Sequence, residues 1–121
     1  MLTTIPELIR SIRPHLRVLS AEQALAEAAQ RPNSLVIDVR EPAEVAERPI
    51  DGSINIPRGV LEMKLSSHYG DPDLPIYLHC ATGARATLSA EQLQRIGYRN
   101  VTVISCPIDT MDSLCRPETC A

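Results

Sequence analysis

A chain of 121 residues and 13.3 kDa suits one domain built round one core. It has 44% hydrophobic residues but three Tyr, no Phe and no Trp, so that core must come from Leu, Ile, Val and Ala, which argues against a base-stacking nucleic-acid platform. A net charge of −3 and a pI near 5.6 leave no basic field for nucleic acid or an anionic membrane. Neither an apolar run of membrane-spanning length nor a secretory leader is legible, and the expected compartment is the cytoplasm, where thiols stay reduced. The unusual feature is four cysteines, at positions 80, 106, 115 and 120. They form no Cys-x-x-Cys pair, so no metal site is expected.

In chain order, Thr4-Ile5-Pro6-Glu7 reads as a capping box with proline in the first helical turn, opening a short helix that Pro14 ends. Leu8, Ile9 and Ile12 give it an apolar face, for packing on the domain or on a partner. Leu16 to Leu19 is a strand candidate. Ser20 with Gln23 is a second capping box, starting a helix to about Gln30. Leu35-Val36-Ile37, ending in Asp38, reads as a buried parallel strand. A short helix follows over 43–47, then a strand at Ser53 to Asn55 and a helical turn or two from Gly59 to Leu65. Asp71-Pro72-Asp73 is a turn. Ile76-Tyr77-Leu78 is a second buried strand, Ala84 to Ile96 is the best helix, with Gly97 as its cap, and Val101 to Ile104 is a third buried strand. One loose helix is expected around Thr110 to Cys115. Strand alternating with helix predicts an α/β fold, a mostly parallel sheet covered on both faces.

The chemistry is expected in the stretch His79-Cys80-Ala81-Thr82-Gly83-Ala84-Arg85. A buried strand delivers Cys80 at its carboxyl end, where open α/β sheets bind ligands. Small residues let the loop curl so that backbone N–H groups converge, and the next helix aims its positive end at the same point. Both effects favour an anion, hence a thiolate. Arg85, one turn into the helix, can offer a fork of donors to an oxyanion.

Three motifs occur together: Leu35-Val36-Ile37-Asp38-Val39-Arg40-Glu41-Pro42, Gly52-Ser53-Ile54-Asn55-Ile56-Pro57, and Cys80-Ala81-Thr82-Gly83-Ala84-Arg85. In that order and approximate spacing they resemble a single-domain rhodanese, over about Arg17 to Met111. The resemblance implies a five-stranded parallel sheet flanked by helices and a sulfurtransferase cycling through a Cys80 persulfide. Cys80 is then the nucleophile and Ala81, Thr82, Gly83, Ala84 and Arg85 bind substrate. The partners implied are a sulfur donor such as thiosulfate and a cyanide or thiol acceptor, with a sulfur-accepting protein as a further candidate and no metal or organic cofactor. Asp38 and Arg40 are implied to order the neighbouring loops. Residues 1–15 are expected to be a helical extension, 16–111 the rhodanese-like domain and 112–121 a cysteine-containing tail.

Cys-dependent phosphatases and arsenate reductases place five residues between Cys and Arg; here four intervene, which suits one sulfur atom better than a tetrahedral oxyanion. The other alternative is a non-catalytic binding or sulfur-relay module, but such scaffolds often lack the cysteine kept here. Arg58 is an accessory candidate for charge at the pocket mouth, against a solvated surface role. Cys106 is a second, as a thiol that resolves or relays the persulfide, with Cys115 and Cys120 behind it, against a buried and inert Cys106. The chain departs from the family pattern at Arg48-Pro49-Ile50-Asp51-Gly52. It departs again where Cys106-Pro107 replaces the usual Gly-Gly and Met111 stands near the usual aromatic, which predicts altered packing of the last helix and a mobile tail.

Overall fold

A computed structural model describes residues 1–115. Strands β1 (Arg17–Leu19), β2 (Leu35–Asp38), β3 (Ile54–Asn55), β4 (Ile76–His79) and β5 (Val101–Ile104) form one sheet in the order β1-β5-β4-β2-β3. Every pairing is parallel, as continuous apolar runs predict. The helices are α1 (Ile5–Ile12), α2 (Ala21–Ala29), α3 (Pro42–Glu47), α4 (Leu61–His68), α5 (Ala84–Arg95) and α6 (Ile108–Leu114).

Side-chain alternation along the strands divides the core in two. Ile37, Ile76, Leu78, Val101 and Val103 pack with Leu61 and Leu65 of α4 and Ala86, Ala90 and Leu93 of α5. Tyr77 and Ile104, on the other face, pack with Ala21 and Ala24 of α2 and Met111 of α6. The helices are started and stopped by local chemistry. At α2, Ser20 accepts from the Gln23 N–H while the Gln23 side chain accepts from the Ser20 N–H, the reciprocal cap expected. At the end of α5, Gly97 takes φ +114°, and Tyr98 N–H reaches the Leu93 carbonyl while Gly97 N–H reaches that of Gln94. This left-handed turn is one that glycine enters without a Cβ penalty.

The N-terminal helix packs on α5, burying Ile9 and Ile12. Each isoleucine gains roughly 2 kcal/mol, which holds an eight-residue helix too short to persist alone. A 3₁₀ turn, Arg13–His15, follows it. The last helix begins at Ile108 and not near Thr110, because Pro107 enters it with φ already at −63°. The tail expected at 112–121 thus starts inside α6, which is packed through Cys115. Met111 is fully buried against α2, an unbranched side chain filling the position expected to need an aromatic. Cys120 lies outside the described residues.

Between β2 and α3, Arg40 and Asp38 form a buried ion pair, with Arg40 Nη2 to Asp38 Oδ2 at 2.7 Å and Nε to Oδ1 at 3.0 Å. Arg40 Nη2 also donates to the Arg48 carbonyl at 2.8 Å, and Asn55 Nδ2 donates to the Asp38 and Arg40 carbonyls at 2.9 Å each. These bonds give Asp38 and Arg40 the loop-ordering place expected of them. Arg40→Gln leaves a buried carboxylate uncompensated and is expected to cost about 3–5 kcal/mol in urea unfolding. Adding Asp38→Asn should recover part of that loss, since no buried charge then remains.

Candidate active site

Cys80 follows β4 directly and is 1% exposed. Its Sγ accepts the Gly83 N–H at 3.0 Å and the Ala86 N–H at 3.4 Å. The second donor lies one residue beyond the 81–85 stretch expected to line the site, because α5 turns its first amides toward the sulfur. Gly83 makes the curl possible, with φ +102° as the residue before α5. Thr87 fastens the turn by donating its hydroxyl to the Gly83 carbonyl at 2.8 Å. Ile108 N–H donates to the Ala81 carbonyl at 3.0 Å, tying the start of α6 to the loop. Thr82 is exposed at the loop's tip, and Ala84 is partly exposed.

Arg85 does stand beside the loop, but its fork is occupied. Its Nη1 and Nη2 reach Glu44 Oε1 and Oε2 at 2.6 and 3.0 Å. The guanidinium holds the Glu44 carboxyl down at about 2, helped by the Glu41 N–H, and Glu44 raises Arg85 in return. Glu44 was not among the sequence candidates. The spacing Glu41-Pro42-Ala43-Glu44 marks a helix start, and Glu44 does cap the Glu41 N–H at 3.0 Å, but nothing local names its partner 41 positions away. Arg58 is likewise paired, with Glu62 at 3.2 Å one turn along.

Cys106 and Cys80 belong to different core clusters. Cys80 packs with the α4–α5 face, whereas Cys106 packs with the α2–α6 face and accepts the Ala21 N–H at 3.1 Å. The two follow neighbouring strands but leave them toward opposite sides. Cys115 is buried on the Cys106 side. His79, beside Cys80 in sequence, also faces away from it. It is fully buried, with Nε2 2.7 Å from Ser53 Oγ and no hydrogen-bond partner at Nδ1. Burial pushes its pKa down to about 4, so at neutral pH the ring is uncharged. Arg13 was also missed. Its Nε lies 3.4 Å from Thr87 Oγ1, and its Nη2 would stand 2.9 Å from a Cβ placed on Gly83.

A parallel sheet with helices on both faces, presenting a cysteine in a tight loop at the mouth of a helix, defines a class of α/β domain. The rhodanese-like domain model matches residues 20–108, and the chain belongs to that family. It is 35% identical over 81 residues to a putative mitochondrial thiosulfate sulfurtransferase of Schizosaccharomyces pombe, covering 57% of this chain and 56% of that relative. It is 29% identical over 83 residues to an Allochromatium vinosum sulfurtransferase, covering 69% and 76%. The chain thus spans little more than half the length of the yeast relative. Among solved structures, the polysulfide-sulfur transferase homodimer of Wolinella succinogenes aligns with TM-score 0.70 and 25% identity, over 84% of this chain and 77% of that one. A Rhodopseudomonas palustris protein of unknown function, described as a possible tyrosine phosphatase, aligns with TM-score 0.78 and 22% identity over 97% and 95%, a likeness of fold. Among the described residues, no helix is long and apolar enough to cross a membrane.

The buried imidazole gives the fold a pH signature. Unfolded, His79 takes up a proton from about pH 6.5; folded, it does so only near 4. The unfolded state therefore binds more protons across that window, and stability should fall by about 3 kcal/mol as pH drops through it. Urea midpoints at pH 7, 5 and 4 check this, and in His79→Gln that part of the slope should vanish.

Proposed function

We propose that this domain is a sulfurtransferase in which Cys80 carries the sulfur as a persulfide. The observation that supports this most directly is the Cys80 sulfur held by two backbone N–H groups inside a loop that opens a helix. The thiolate attacks the outer sulfur of a donor such as thiosulfate. The new Sγ–S bond forms as the donor's S–S bond breaks, and its electron pair leaves with sulfite. N–H groups of the loop and of the first turn of α5, among them those of Gly83 and Ala86, receive the persulfide anion, and the helix terminus supports its charge. Arg85 stands beside the loop, oriented by its pairing with Glu44. A cyanide or thiol acceptor then attacks the outer sulfur, the Sγ–S bond breaks and the thiolate returns. This sequence uses no metal or organic cofactor.

The burial of Cys80 supports the same reading over phosphate chemistry. A loop with four residues between Cys80 and Arg85, closed down on the sulfur, suits one added sulfur atom better than a tetrahedral oxyanion. We place the protein in the cytoplasm, where thiol acceptors stay reduced. Thiosulfate should add one sulfur to the Cys80 peptide, read by mass, with stoichiometric release of sulfite. Cys80→Ser should lose turnover at least about a thousandfold. No sulfur gain from thiosulfate, polysulfide or a persulfide donor would overturn the reading.

A further inference from the structure

The arginines at this edge of the sheet, Arg85 and Arg58 among them, are compensated. Arg85 is paired with Glu44, Arg58 with Glu62, and Arg40 with Asp38. An anionic donor approaching Cys80 therefore meets little net charge from them. Arg13 is different. It comes from the turn after α1, before the segment that the family model matches, and is half-buried against the loop. Its Nη2 occupies the space that a Gly83 side chain would need, near the Ser105 carbonyl, and its Nε is 3.4 Å from Thr87 Oγ1. Among the described residues it has no carboxylate within ion-pair distance. Because Gly83 N lies 3.0 Å from Cys80 Sγ, covalent geometry bounds the Arg13 guanidinium to within about 9 Å of the sulfur.

We propose that Arg13 is the specificity-determining charge of this site, making Cys80 select anionic over neutral sulfur donors. The inference rests on Cys80 as the reacting thiol. The N-terminal helix is then part of the site's electrostatics: burial of Ile9 and Ile12 on α5 seats the turn that delivers the cation. Arg13 needs no contact with substrate for this. Partial burial limits screening, and among the described residues no carboxylate pairs with it to cancel its field.

The test separates charge from structure by alkylating Cys80 with two reagents of matched shape, anionic iodoacetate and neutral iodoacetamide. In both, the thiolate displaces iodide, so a change in thiolate fraction or loop access moves both rates together, whereas local potential moves their ratio. Rates are read on the Cys80 peptide by mass at low ionic strength. Arg13→Gln is expected to lower the iodoacetate-to-iodoacetamide ratio about threefold. Arg13→Lys should keep it near wild type, and so should Arg31→Gln, which removes a charge at the opposite edge of the sheet. Arg13→Met repeats the measurement with the bulk against Gly83 retained, should the Gln variant misfold. An unchanged ratio in the Gln or Met variant, or an equal fall in Arg31→Gln, overturns the proposal. No sulfur donor is involved, so a domain that forms no persulfide can still show the ratio change, and one that forms it can fail to.

Discussion

Asp38 and Arg40 sit where the carboxyl ends of β2, β3 and β4 converge, and their buried pairing organises that edge of the sheet. Two charges taken out of water are tolerated only if their remaining donors and acceptors are used, and here they are. Arg40 spends its spare N–H on the Arg48 carbonyl at the end of α3, and Asn55 closes the backbone carbonyls of both residues. The position of α3 follows. From α3 projects Glu44, and from Glu44 comes the orientation of Arg85 beside the Cys80 loop. A pair with no reach to the sulfur therefore decides where the loop's neighbouring cation stands.

The fold was largely legible because its signals are local. Apolar runs at Leu35, Ile76 and Val101 mark strands buried on both faces, and Ser20–Gln23 and Gly97 mark helix ends through bonds spanning a few residues. The Cys80 loop was legible for the same reason, since strand, small residues and helix are contiguous. Partnerships across the sequence were not. Arg85 looked like a free fork because Glu44 lies 41 positions away, and Arg13 carried no motif at all. Cys106 shows a subtler limit. Sequence order placed it at the right edge of the sheet, but which face it takes depends on how the chain leaves β5. Only the packed structure, with the Ala21 N–H on its sulfur, shows that it faces α2.

The electrostatic pattern around the sulfur follows from this network. Three arginines near the carboxyl edge each have a carboxylate, two of them on short helices that exist to cover the sheet. Those pairs fix geometry more than they supply net charge. The groups in contact with the sulfur are backbone ones, the Gly83 and Ala86 amides at the start of α5, which are covalently placed and need no side-chain order.

The division of the thiols by the sheet has a consequence for how the protein meets oxidants. Cys80 packs on the α4–α5 side of the sheet, and Cys106 and Cys115 on the α2–α6 side. An oxidant meets the thiols in different packing and with different amide donors at the sulfur, Gly83 and Ala86 at Cys80 and Ala21 at Cys106. The described thiols thus sit in two separately packed settings within one small domain.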